Sequence, residues 1–114
     1  MQATSRDTGV AATILEQLGG SRFVAMTGAR NIMSDGSALC FKLPQGFAKD
    51  GINYVRITLE PSDTYTVRFT RIGRGPSYRI EEVGSFRDIY VSELRELFTR
   101  ITGLETSLGT MRVR

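Results

Sequence analysis

Between Gly51 and Val83 the chain alternates apolar and polar residues with period two in three successive runs. Ile52–Leu59 sets Val55, Ile57 and Leu59 on one side. Tyr65–Thr70 does the same with Tyr65, Val67 and Phe69, and a shorter run follows at Tyr78–Glu81. Successive side chains of a strand point to opposite faces, so this alternation predicts three strands with one buried face. The opposite face carries Arg56, Thr58, Arg68, Thr70 and Arg79.

The buried sets must land on the same side of the sheet, and a one-residue slip would reverse a whole strand. Two loops satisfy this between the first two runs. A five-residue loop, Glu60 to Thr64, pairs Val55 with Phe69, Ile57 with Val67 and Arg56 with Arg68. A three-residue loop, Ser62 to Thr64, pairs Leu59 with Val67 and Thr58 with Arg68. For the next turn, Gly73-Arg74 suits a two-residue type II′ turn with glycine first. That turn sets Tyr78 opposite Phe69, Ile80 opposite Val67 and Arg79 opposite Arg68. With the five-residue loop, Arg56, Arg68 and Arg79 form one row. Like charges directly opposite repel, so the row calls for an anion, an acidic neighbour or open water.

Helical spacing appears on both sides of this meander. Met1 to Arg6 reads as a loose polar tail, after which Asp7 or Thr8 can cap a helix bearing Val10, Ile14, Leu15 and Leu18, stopped at Gly19-Gly20. A second helix is expected from about Ile89 to Thr102, with Tyr90, Leu94, Leu97, Phe98 and Ile101 as its apolar face. Asp88 would cap its start, Arg100 favours its end and Gly103 terminates it. Phe23 to Met26 reads as a first strand, extended by Asn31 to Met33, and Leu39 to Leu43 as a second, stopped by Pro44. Leu104 to Arg114 has no period and ends slightly basic with Arg112 and Arg114. The expected fold is α+β: one domain over residues 1–114, with an antiparallel sheet of about five strands, an N-terminal helix and a C-terminal helix.

Composition narrows the chemistry. The 114 residues suit one domain with one real core. The net charge is +3, carried by thirteen arginines and two lysines against twelve acidic residues, which tilts mildly toward an anionic partner. Histidine is absent, which removes the commonest acid–base group and metal ligand. Without it, or a cysteine pair, no nucleophile–base arrangement and no zinc site can be built. Asp50, Asp63 and Asp88 sit at turns or caps, where aspartate serves the backbone. Gly73-Arg74-Gly75 lacks the strand-then-helix context of a phosphate loop. The sequence therefore points to a non-enzymatic protein without cofactor or metal. Cys40, the single cysteine, falls in the apolar run Ala38 to Leu43 and reads as a small buried hydrophobe. No signal pattern and no membrane-spanning run is present, so a cytoplasmic, reducing setting is expected.

Several stretches resemble a family of small proteins of phages and other mobile elements. They are Leu15-Glu16-Gln17-Leu18-Gly19-Gly20, Met26-Thr27-Gly28-Ala29-Arg30-Asn31, Phe41-Lys42-Leu43-Pro44 and Gly51 to Leu59. Thr102-Gly103-Leu104-Glu105-Thr106-Ser107-Leu108 is similar to that family's ending, with Glu105 in place of a tyrosine. The resemblance implies a mobile-element origin and a host-cell cytoplasm, and carries no catalytic residue.

Two functional readings follow. In the first, the sheet presents Arg56, Arg68 and Arg79 with Tyr54, helped by Arg71 and Arg74, to single-stranded nucleic acid, phosphates paired and bases stacked. Glu60, Glu81 and Glu82 are the residues that would instead neutralise these arginines. Neither helix has a basic face for duplex readout. In the second, the same residues bind an acidic patch on a host protein, for example one of a defence system. A second copy is a further partner, through an open strand edge near Ala38 to Leu43 or Phe23 to Met26.

Overall fold

The computed structural model describes residues 2–76 and 78–106, with residues 2–8 as backbone only. Helix α1 spans Gln2–Leu18 and α2 spans Ser21–Thr27. Strands β1 (Arg30–Asp35), β2 (Ala38–Lys42), β3 (Tyr54–Leu59), β4 (Tyr65–Ile72) and β5 (Ile80–Ile89) follow, with a short 3-10 turn at Lys49–Gly51, and α3 (Val91–Thr102) closes the fold. The five strands form one antiparallel sheet in the order β1-β2-β3-β4-β5. The fold is therefore the expected α+β arrangement, with three helices in place of two. No helix among the described residues is long and apolar enough to cross a membrane.

All three helices lie on one side of the sheet. Leu39 and Phe41 of β2, Val55 and Ile57 of β3, and Tyr65, Val67 and Phe69 of β4 project to that side and are buried. They meet Ile14 and Leu18 of α1, Phe23 of α2, and Leu94, Leu97 and Phe98 of α3. Phe98 lies 5.2 Å from Phe23, 6.3 Å from Phe41 and 6.4 Å from Phe69, ring centre to ring centre, so one aromatic joins all layers. The Phe98–Phe23 pair is edge-to-face, and such a contact adds to what burial alone contributes.

The β3–β4 hairpin has the five-residue loop: Val55 faces Phe69, Ile57 faces Val67 and Arg56 faces Arg68. Four expectations are corrected. Phe23 to Met26 is helical, because Phe23 and Thr27, four apart, are buried while Arg22 and Ala25 are exposed; a short apolar run has no period of its own to decide between helix and strand. The outer strand is instead β1, which begins at Arg30 and contains the Asn31 to Met33 segment. Residues Gln2 to Arg6 continue α1, since nothing in Gln-Ala-Thr-Ser-Arg breaks a helix. The β4–β5 connection runs from Gly73 to Arg79, with Ile72 opposite Ile80, and β5 continues through Gly84 to Asp88. The Gly73 N–H donates to the Arg79 carbonyl at 2.8 Å, and the Tyr78 N–H to that of Gly75 at 3.2 Å.

Helix α3 starts later than expected. Tyr90 is its N-cap residue and is 60% exposed, outside the apolar face, and its N–H donates to the Glu93 carboxylate at 3.0 Å. Asp88 sits in β5 at a positive φ of 57°, where the register against β4 shifts. Gly103 ends α3 as expected. Past it, over the described residues 104–106, Thr106 is buried and its hydroxyl accepts from Arg95 Nε at 3.3 Å, so this part of the tail is not loose. Arg112 and Arg114 lie outside the described residues.

Candidate nucleic-acid interface

The side of the sheet away from the helices is built by Met33 and Asp35 of β1, Ala38, Cys40 and Lys42 of β2, Tyr54, Arg56 and Thr58 of β3, and Thr66, Arg68 and Thr70 of β4. Arg56 and Arg68 are neighbours on this open face, as the alternation required. Arg79 does not join them. Ser85 stands opposite Arg68, because the seven-residue connection moves Arg79 to the sheet's end, before β5 begins. The continuous three-arginine row is therefore absent. Arg71 belongs to β4 and not to the loop, and its parity turns it away from Arg68.

Arg56, Arg68 and Arg71 each meet an acidic side chain. Arg56 Nη1 donates to Asp35 Oδ2 at 2.7 Å and lies 3.3 Å from the Cys40 sulfur. Arg68 Nε is 3.7 Å from Glu82, a loose pair in which both side chains stay more than half exposed. Arg71 donates through Nε and Nη2 to Glu81 Oε1, and through Nη1 to the Asp50 carbonyl at 2.8 Å. Glu81 and Glu82 were expected to neutralise arginines. Glu60 instead accepts from the Thr66 hydroxyl at 2.7 Å, and Arg56 is paired with Asp35. The pairing has the expected electrostatic effect. The Asp35 hydrogen bond holds the Arg56 guanidinium above its ordinary value, and Arg71 holds the Glu81 carboxyl below its own.

Arg56 also lies against Cys40, a small side chain buried on a face that no helix covers. Cys40 is a free, buried thiol, as its apolar surroundings implied. A hydrogen bond with this thiol, followed by partial burial, raises the Tyr54 phenol above its usual value.

A different group of cations has no ion pair among the described residues. Where β2 ends, β3 begins and β4 turns toward β5, a cleft of about 230 Å³ is lined by Arg30, Lys42, Gln45, Asn53 and Arg74, with Leu43, Ile72 and Gly73. No carboxylate lines it among the described residues. Its wall is held by Asn53, whose amide acts as an extra peptide group: Oδ1 accepts from the Ile72 N–H at 2.9 Å and Nδ2 donates to the Ile72 carbonyl at 3.0 Å. Nδ2 also reaches Gln45 Oε1 at 3.4 Å. Three positive side chains around one concavity focus an attractive potential on an anion. Arg30 pairs with Lys42 in register and Lys42 with Tyr54, so the cleft opens beside the aromatic of the open face. The loops that supply Gln45 and Arg74 also carry Phe47 and Tyr78, which are 62% and 56% exposed.

Of the residues singled out from the sequence, Arg74 alone lines the cleft, and Tyr54 stands next to it. Arg30, Lys42, Gln45 and Asn53 were missed. Lys42 was accessible to reasoning, since Phe41 and Leu43 point inward and Lys42 must point outward. Arg30 was not, because its strand had been placed earlier in the chain. Comparison with known proteins finds no matching family model, no matching curated protein and no matching solved structure.

Proposed function

We propose that this chain is a small non-enzymatic binding module for single-stranded nucleic acid, seated with a backbone phosphate in the Arg30–Lys42–Arg74 cleft and a base on Tyr54. The observation that carries the reading is the cleft itself: three cations and two amide side chains with no lining carboxylate among the described residues. Phosphate contacts supply most of the affinity in such complexes, while stacked aromatics hold bases with little sequence preference. An open sheet face beside the cleft suits a flexible strand. The similarity to small mobile-element proteins fits a module acting on nucleic acid inside a host cell.

A second reading has its own support. Arg56 and Arg68 are already matched by Asp35 and Glu82, so the middle of the face is close to charge balance. That pattern, with the exposed Phe47 and Tyr78, also suits a host protein as partner.

Fluorescence anisotropy with a labelled oligonucleotide, repeated over a salt series, separates the two. Lys42→Gln and Arg74→Gln should each lower the magnitude of the log-affinity versus log-salt slope by roughly 0.7. Tyr54→Ala should weaken binding by about 1–3 kcal/mol. Arg68→Gln should change the slope less, because Glu82 already shares that charge. Absence of binding at low salt by folded protein, or a slope unmoved by Lys42→Gln and Arg74→Gln, would transfer the assignment to the protein-binding reading.

A further inference from the structure

We infer that two copies of this chain join through β1, strand to strand and antiparallel, about a two-fold axis at Met33. The inference does not depend on the nucleic-acid reading. β1 is an edge strand: it pairs with β2 alone. All six of its residues are exposed, including Ile32 at 37% and Met33 at 56%. An exposed edge with apolar side chains is a template for another strand unless something blunts it.

The two edges of the sheet differ in this respect. β5 carries Glu81, Glu82, Arg87 and Asp88, shifts register twice against β4, and places Asp88 at a positive φ. Four charges along an edge discourage edge-to-edge pairing. β1 has charge only at its two ends, Arg30 and Asp35, with Asn-Ile-Met-Ser between them.

Those ends fit a second copy. Cross-strand partners must point to the same face, and β1 carries one irregularity, between Arg30 and Met33, with Asn31 at φ 53°. As a result Arg30, Met33 and Asp35 share the open face, opposite Lys42, Cys40 and Ala38. Centring the axis on Met33 sets each Met33 against its copy. The extra residue then brings Asn31 and Ile32 together against Ser34, and Arg30 against Asp35. A bulge-free β1 in this register would have set Asn31 against Asp35. The bulge thus supplies the parity and an ion pair at each end of the seam. Asp35 has room for it: Arg56 bonds Oδ2, and the side chain remains 64% exposed.

The apolar side of the seam is prepared as well. Between α1 and β1 lies a groove of about 190 Å³, lined mostly by Ala11, Ala12, Leu15, Ile32, Met33 and Leu39. A second β1 would lay its Ile32 beside it. The pairing yields a continuous ten-stranded sheet with both open faces on one side, because the axis is perpendicular to the sheet. Arg30 would then face a carboxylate, whereas Lys42 and Arg74 would keep their place in the cleft.

Sedimentation equilibrium over a concentration series tests this, with circular dichroism to confirm that each variant is folded. The wild type should move from 12.6 kDa toward twice that mass. Met33→Lys sets two cations face to face on the axis and should raise the dissociation constant at least about tenfold. Arg30→Asp should do the same, and Arg30→Asp with Asp35→Arg should restore the dimer. Ile80→Lys, on the β5 edge, should leave it unchanged. A wild-type mass of 12.6 kDa up to about 1 mM would overturn the inference. So would open-ended higher oligomers, a dimer lost in Ile80→Lys, or a charge swap that fails to restore pairing. Oligonucleotide binding is read separately through Lys42→Gln and Arg74→Gln, so failure of one assignment leaves the other standing.

Discussion

Truncating Phe69 to alanine probes the contact on which the sheet and α3 are assembled. The ring is fully buried in β4, 6.0 Å from Phe86 at an interplanar angle of 73° and 6.4 Å from Phe98. Phe69 faces Gly84 across the β4–β5 ladder, and the Phe86 ring occupies the space that a Cβ on Gly84 would need, at 2.9 Å. An aromatic side chain buries ~150–250 Å², most of it lost on truncation, which is ~3–4 kcal/mol at ~25 cal/mol per Å² before any cavity cost. The surrounding groups come from β3, β5 and α3 and cannot all move inward, so a loss of about 4 kcal/mol is expected, within the range for Phe→Ala. A domain of this length has only ~6–17 kcal/mol in total, so the variant should fold with a strongly lowered urea midpoint. A double-mutant cycle with Phe86→Ala should show a coupling of about 0.5–1.5 kcal/mol. The same cycle with Tyr78→Ala should show none, because Tyr78 is 56% exposed and lies in the turn. A loss below ~1 kcal/mol would mean that Phe69 points away from the helices. Coupling to Tyr78 in place of Phe86 would restore the two-residue turn and refute the bulged register.

Two further perturbations test local backbone and titration. Gly75 has φ 84° with nothing within 4 Å of a built Cβ, so Gly75→Val should cost about 1–2 kcal/mol in a urea melt through its left-handed backbone alone. Gly73 lies outside that region, with the Arg79 nitrogen 3.4 Å from its would-be Cβ, so Gly73→Val should cost less; the reverse order would favour a type II′ turn at Gly73. Tyr54 and Tyr65 are both raised above the ordinary phenol value, Tyr54 chiefly by its hydrogen bond with the Cys40 thiol and Tyr65 chiefly by burial. The unfolded phenols ionise first, near pH ~10, so this contribution to stability is complete below that pH and is lost as pH rises through the folded-state values. The melting temperature should therefore fall above about pH 10, and less steeply in Tyr54→Phe; a flat profile shared by both proteins would contradict the raised phenols.

Much of the molecule was legible in the local pattern. Val55, Ile57, Val67 and Phe69 alternate so strictly that parity alone excluded even-numbered β3–β4 loops, and hairpin partners close in sequence leave few other choices. The same holds for α3, where Leu94, Leu97 and Phe98 keep helical spacing up to Gly103. Tertiary structure decided wherever a segment's own pattern was silent. Phe23-Val24-Ala25-Met26 is too short to show a period, and its helical form follows from packing Phe23 against Phe41 and Phe98. The β4–β5 register depended on Phe86 crossing Gly84 to reach Phe69, a contact between residues that neither turn chemistry nor alternation connects. That register removed Arg79 from the arginine row. The cationic cleft was hidden for the same reason: Arg30, Lys42 and Arg74 lie on three separate segments, and only the order of strands in the sheet brings them to one end. Local periodicity determines which face of a segment is buried; which segments become neighbours is settled by long-range packing, and the charge of a site depends on those neighbours.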